Sequence, residues 1–84
     1  MPVVDEIRAR LMQFQPDRLE VIDESARHAG HAGARPEGES HFRVRIAAAA
    51  FAPMSRLARH RAIHAVLGPD LLARIHALAL EIES

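Results

Sequence analysis

Six histidines fall in a chain of 84 residues that holds no cysteine: His28, His31, His41, His60, His64 and His76. Any metal chemistry this chain offers by itself must therefore lean on imidazole rather than thiolate. The six group by spacing. His28 and His31 are three apart in "RHAGHAG" (residues 27–33). His60 and His64 stand four apart in "RHRAIH" (residues 59–64), which on a helix puts both on one face, where such a pair can chelate zinc. The glutamate that gives a helical HExxH motif its general base is missing, so a solvated or half-buried structural pair is the plainer account. His76 interrupts the apolar "IHALALEI" (residues 75–82). An imidazole there is costly unless it is used or hydrogen-bonded, which leaves a ligand role or a core histidine bonded to a backbone carbonyl. His41 opens "HFRVRI" and suits a structural bond to the adjoining loop.

Other chemistry is thin. No serine has a histidine and an acid at a spacing that suggests a triad. Asp23 and Glu24 are paired carboxylates at a strand end with nothing in the local sequence to tune them. "GHAG" at residues 30–33 spells a GxxG, but between two strands, whereas the motif that clamps a nucleic-acid backbone sits between helices. No glycine-rich strand-to-helix turn offers a phosphate cradle. The sequence reads as non-enzymatic.

The elements that must position these residues form one small domain over residues 1–84. Val3, Val4, Ile7, Leu11 and Phe14 recur at helical spacing, with Pro2 suited to the first turn and Pro16 as a stop, which predicts a helix over Met1–Phe14. Leu19–Asp23 is a short strand. Residues 25–40 ("SARHAGHAGARPEGES") hold three of the four glycines and Pro36, and read as a long, mobile loop. His41–Ala48 alternates cleanly, with Phe42, Val44 and Ile46 inward and Arg43 and Arg45 outward. Ser55 is placed to cap a helix running to Leu67, with Leu57, Ala58, Ala62, Val66 and Leu67 inward and Arg56, Arg59 and Arg61 on or beside the outward face. Gly68-Pro69 ends it, a further short turn of helix follows over Pro69–Arg74, and Ile75–Ile82 is the last strand. Its nearly unbroken apolar run predicts an interior or doubly covered strand. The order α-β-β-α-β gives an α+β sandwich with a three-stranded mixed sheet, the first two strands antiparallel and the third parallel to a neighbour, and helices on one face.

Composition bounds the rest. The net charge is zero, all eleven basic residues are arginine, and there is no Trp or Tyr. The middle of the chain is mildly basic, well short of a dedicated nucleic-acid binder. No segment has the pattern of a signal peptide or membrane span, so a cytoplasmic location is the default expectation.

Taken together, "RLEVIDES" (18–25), "RHAGHAG" (27–33), "ESHFRVRI" (39–46), "RLARHRAIHAVLG" (56–68) and "IHALAL" (75–80) resemble the BolA family across nearly the whole chain. The resemblance implies a class II KH-like fold, in agreement with the order above. It implies a monothiol glutaredoxin as partner, forming a heterodimer around a shared, glutathione-ligated [2Fe–2S] cluster, in iron–sulfur trafficking or iron and redox regulation. Carried onto this sequence, the family's two histidine ligands are His76 and a loop histidine, His28 or, because this loop is longer, His31. Histidine can replace cysteine at one iron of such a cluster. Many members carry a further helix after the last strand. This sequence stops at Ser84, so that helix is expected to be absent or truncated. The resemblance also carries a second function, a DNA-binding transcriptional regulator of stress response and morphology, for which Arg43, Arg45, Arg56, Arg59 and Arg61 are the candidate phosphate contacts. A purely structural adaptor is the third.

Overall fold

The computed structural model describes residues 2–28 and 40–84. Helix α1 spans Val3–Leu11 and buries Val3, Ile7 and Leu11 on one stripe. Asp5 and Glu6 lie in its first turn and Arg8 and Arg10 in its last, each on the side of the helix dipole that favours it. The helix expected to reach Phe14 stops at Leu11. Met12–Phe14 tightens into a 3-10 turn that ends on Gln15 at φ 52°, one residue before Pro16.

Strands β1 (Arg18–Asp23) and β2 (His41–Ala47) pair antiparallel, with Val21 opposite Val44. Strand β3 (Ala77–Glu83) pairs parallel to β2, with Val44 opposite Leu80. The order β1-β2-β3 makes β2 the central strand. This corrects the reading of the last strand as interior. β3 is an edge strand, and its apolar run has a different cause: Leu78, Leu80 and Ile82 face the core while the small Ala77 and Ala79 take the opposite face. The strand also begins two residues later than expected, so His76 precedes it.

The parallel pairing requires a crossover, which α2 (Arg56–Leu67) and α3 (Pro69–Ala73) supply. Ser55 caps α2 as its position predicted, its Oγ accepting from the Ala58 N–H at 3.1 Å. The buried face of α2 is phased differently from the prediction. Ile63, which was not expected, is fully buried alongside the expected Leu67, four residues on, whereas Leu57 is 58% exposed in the first turn. "AAAAF" does not continue β2. It forms a 3-10 turn over Ala49–Phe51 that buries Ala48 and Phe51, and the Phe51 ring packs 4.9 Å from that of Phe14. The core is thus one layer of aliphatic and Phe side chains between the helices and the inner sheet face, with Ile7, Leu11, Phe42, Val44, Ile46, Ile63, Leu67 and Leu71 essentially sealed from water.

Gly68 joins α2 to α3 at φ 83°, ψ 151°, a region only glycine occupies readily. The turn is gripped from α1. The Arg10 guanidinium donates to the Leu67 carbonyl and lies 3.5 Å from Asp70 Oδ1, and its hydrogen bond holds the Asp70 carboxyl below its ordinary value. A Cβ on residue 68 would stand 2.9 Å from Asp70 Oδ1 and 3.2 Å from Arg10 Nη1. Gly68→Ala is therefore expected to cost about 1–3 kcal/mol in backbone strain alone. Urea denaturation checks this, and an unchanged midpoint would show that the turn can take another conformation.

Candidate functional site

The loop over residues 25–40 is tied down at both ends. At its start, Asp23 Oδ1 accepts the Ser25 N–H at 2.9 Å, which turns the chain out of β1 into a 3-10 turn over Ser25–His28. At its far end Ser40 and His41 return against that turn. Ser25 Oγ accepts the N–H groups of Ser40 (3.0 Å) and His41 (3.2 Å) and the Ser40 hydroxyl (3.2 Å). The Ser40 Oγ also sits 2.9 Å from His41 Nδ1. Ser25, Ser40 and His41 are all buried, so the pocket is polar, packed and internally satisfied, as a buried polar cluster must be. His41 takes the structural bond to the loop expected of it. His28 closes the turn at the loop's base. His31, the remainder of "RHAGHAG" and the segment expected to be mobile, apart from the turn over Ser25–His28, lie outside the described residues.

Across the sheet, the Ser40 carbonyl accepts from both His76 (2.8 Å) and Ala77 (3.1 Å). The backbone of His76 is thereby fixed at the mouth of β3. Its side chain is exposed, not in the core, at the residue that precedes β3. This excludes the core-histidine alternative. The His76 ring packs against the His41 ring, with centroids 5.2 Å apart and planes inclined at 49°. No hydrogen bond to the His76 ring nitrogens is seen among the described residues. Two residues earlier, Arg74 makes a two-bond ion pair with Glu6 of α1 (2.8 and 3.0 Å). That pair steadies the approach to His76, and its hydrogen bond holds the Glu6 carboxyl below its usual range. Among the described residues no three His, Cys, Asp or Glu side chains converge to hold a metal by themselves.

The candidate arginines divide into two groups. On the outer sheet face, Arg43 Nε donates to Glu24 (3.0 Å) and its Nη1 to Glu81 (3.0 Å). Arg45 Nε donates to the same Glu81 oxygen (3.2 Å) and lies 3.9 Å from Glu20. Glu24, which the local sequence left untuned, is buried and bonded to Arg43. Hydrogen bonds from Arg43 and then Arg45 hold Glu81 below the ordinary glutamate value of 4.5. Stability from a depressed carboxylate is complete above its unfolded-state value and is lost as pH falls through the lower folded value. Resistance to denaturant is therefore expected to fall below about pH 4.5. A Glu81→Gln variant should show a shallower fall, and equal slopes for the two proteins would show that the ion pairs carry no linkage.

On α2 the picture differs. Arg56 and Arg61 are exposed, and neither they nor Arg59 pairs with a carboxylate among the described residues. Arg59 departs from its expected place: it is half-buried, with Nε donating to the Met54 carbonyl at 3.2 Å. Arg56, Arg59 and His60 rim a groove of about 410 Å³ against Met54, Leu80 and Ile82. His60 Nδ1 lies 2.9 Å from the Arg56 carbonyl, the structural role read for it, and His64 is exposed. No described helix is long and apolar enough to cross a membrane.

The serines were missed at the sequence level. The signal was the placement of "DES" (23–25) and "ESH" (39–41) at the two ends of the loop, short polar triplets that can close it with side-chain bonds.

The family model described as BolA-like protein matches residues 11–84. BolA-like protein 1 of Mus musculus is 43% identical over 81 residues, covering 95% of this chain and 56% of that protein. The DNA-binding transcriptional regulator BolA of Escherichia coli K12 is 46% identical over 67 residues, covering 80% of this chain and 60% of that one. The chain thus spans a little over half the length of these relatives. Among solved structures, the BolA domain of SufE1 from Arabidopsis thaliana superposes with a TM-score of 0.79 at 38% identity, over 95% of this chain and 88% of that one.

Proposed function

This chain belongs to the BolA-like family, and from that premise we propose that it is a non-enzymatic partner of a monothiol glutaredoxin, with which it shares a glutathione-ligated [2Fe–2S] cluster. One observation carries the reading. His76 is an exposed imidazole on a fixed backbone, free of hydrogen bonds to described residues, and it stands beside the base of the histidine-bearing loop. The donor set fits such a cluster as a guest site. A cysteine-free chain supplies nitrogen ligands, His76 and either His28 or His31, while the partner and glutathione supply the thiolates. The cluster would supply redox chemistry and this chain the nitrogen ligation. Iron–sulfur trafficking or iron and redox regulation in the cytoplasm is the role this suits.

Co-expression with a monothiol glutaredoxin is expected to yield a brown heterodimer with visible absorption bands that neither protein shows alone. A colourless mixture that elutes as two separate proteins after anaerobic reconstitution with iron, sulfide and glutathione would overturn the proposal.

A second reading has its own support. The Escherichia coli relative is described as a DNA-binding regulator, and Arg56 and Arg61 of α2 are exposed and without carboxylate partners among the described residues. Arg43 and Arg45 are poor phosphate contacts because Glu20, Glu24 and Glu81 already engage them. On this reading a duplex gel shift weakens steeply with salt and is lost in an Arg56→Ala/Arg61→Ala variant.

A further inference from the structure

Ser25, Ser40 and His41 are buried polar groups that the ligand reading does not use directly, and all three converge on the residue it does use. Ser40 contributes twice. Its carbonyl accepts from the backbone N–H of His76 and Ala77, and its hydroxyl meets His41 Nδ1 at 2.9 Å. His41 is then held on three sides: its N–H by Ser25 Oγ, its carbonyl by the Glu24 N–H at 2.8 Å, and its ring by Ser40. A ring with its nitrogen bonded and its edges buried has one orientation. The exposed His76 imidazole packs on that ring at 5.2 Å. An exposed side chain normally samples several staggered χ1 states, and a fixed neighbour in ring contact restricts them. The same serine pair also joins the two ends of the loop that carries His28 and His31.

We infer that His41 is a positioning residue for His76: the buried Ser25–Ser40–His41 cluster sets the direction of the exposed imidazole and registers the base of the histidine loop against it. His41 does not bind the metal itself. Its ring is buried and its Nδ1 is engaged by Ser40, whereas His76 is open to solvent. The inference rests on the proposed ligand role of His76, yet the positioning exists in the free chain and can be read there.

Two variants test it. Ser40→Ala removes the hydroxyl that orients the His41 ring and keeps the carbonyl that anchors His76. His41→Phe keeps a ring of similar size without the nitrogen, and decides the matter if the serine variant folds poorly. In the free parent chain, NMR is expected to show cross-relaxation between the His41 and His76 rings and a single His76 side-chain rotamer. In the variants the His76 couplings should average, while the cross-strand contacts between Val44 and Leu80 persist. In the reconstituted complex with the glutaredoxin, glutathione and [2Fe–2S], the visible circular-dichroism bands of the variants should move relative to the parent. A folded variant that keeps the parent His76 couplings and the parent cluster spectrum overturns the positioning role. The ligand reading fails separately, if a His76→Ala complex gives the parent spectrum. That result leaves the free-chain measurement to stand or fall by itself.

Discussion

A His76→Ala chain is expected to fold like the parent and, on the proposed function, to lose the visible spectrum of a cluster shared with a monothiol glutaredoxin. The expectation comes from two features that seldom coincide in a histidine flanked by apolar residues. The side chain is exposed, so its removal opens no cavity and strands no buried partner. At this position the main-chain N–H groups of residues 76 and 77 donate to the Ser40 carbonyl, and alanine retains both bonds. The thermal midpoint of the free chain should therefore stay within a few degrees of the parent, as for surface substitutions that cost about 0.5 kcal/mol or less. The cluster has no such tolerance, because an iron that loses one of four ligands must take water or another donor, and its charge-transfer bands change with it. Two measurements on one variant decide the question. A variant with a normal melting curve and the parent absorption spectrum would remove His76 from the ligand set. A melting point lowered by many degrees would make it structural after all.

Phe42→Ala is the second large effect. Phe42 is 2% exposed on the central strand, paired with Asp23 on one side and Leu78 on the other. Truncating such a phenylalanine costs about 3–5 kcal/mol. A chain of this length has a total stability of about 4–13 kcal/mol. The variant is therefore expected to melt roughly 12–40 °C lower than the parent or to be largely unfolded at room temperature. Leu57→Ala provides the contrast, since that leucine is 58% exposed and its truncation should change stability by less than about 0.5 kcal/mol. Comparable losses for the two variants, followed by circular dichroism, would show that the burial pattern does not govern stability here.

The sequence-level reading fared differently from element to element. Where local chemistry decides, it was legible: Ser55 as a helix cap, Gly68-Pro69 as a break, and the alternation of Phe42, Val44 and Ile46 against Arg43 and Arg45. The antiparallel and parallel pairings were legible too, since a helical crossover leaves little choice. Where tertiary placement decides, it was not. An apolar run such as "HALAL" looks the same in a central strand as in an edge strand whose outer face is lined with alanine. Leu57 and Ile63 are equally plausible on a helical wheel, and only the tertiary packing buries Ile63 and leaves Leu57 exposed. Arg59 looks like its neighbours in the sequence, but only its side chain folds back to the Met54 carbonyl. At the site, the resemblance indicated His76, and the contact with His41 could not be read from the sequence because the two rings meet only through the pairing of β2 with β3.

That pairing also predicts an order of folding. Arg45 and Glu81, joined across β2 and β3, are 36 positions apart in the chain, and the whole α2–α3 crossover lies between the two strands. The β1–β2 pairing begins with residues 19 apart, Asp23 and Phe42, whereas the parallel pairing joins residues 36 apart, and closing the longer loop is the kind of step that comes later in folding. The two imidazoles therefore come together only when β3 docks. During synthesis, a chain that has emerged as far as β2 carries His41 without the His76 ring that packs on it. On the proposed ligand role of His76, competence to receive the cluster would report that the last strand has docked.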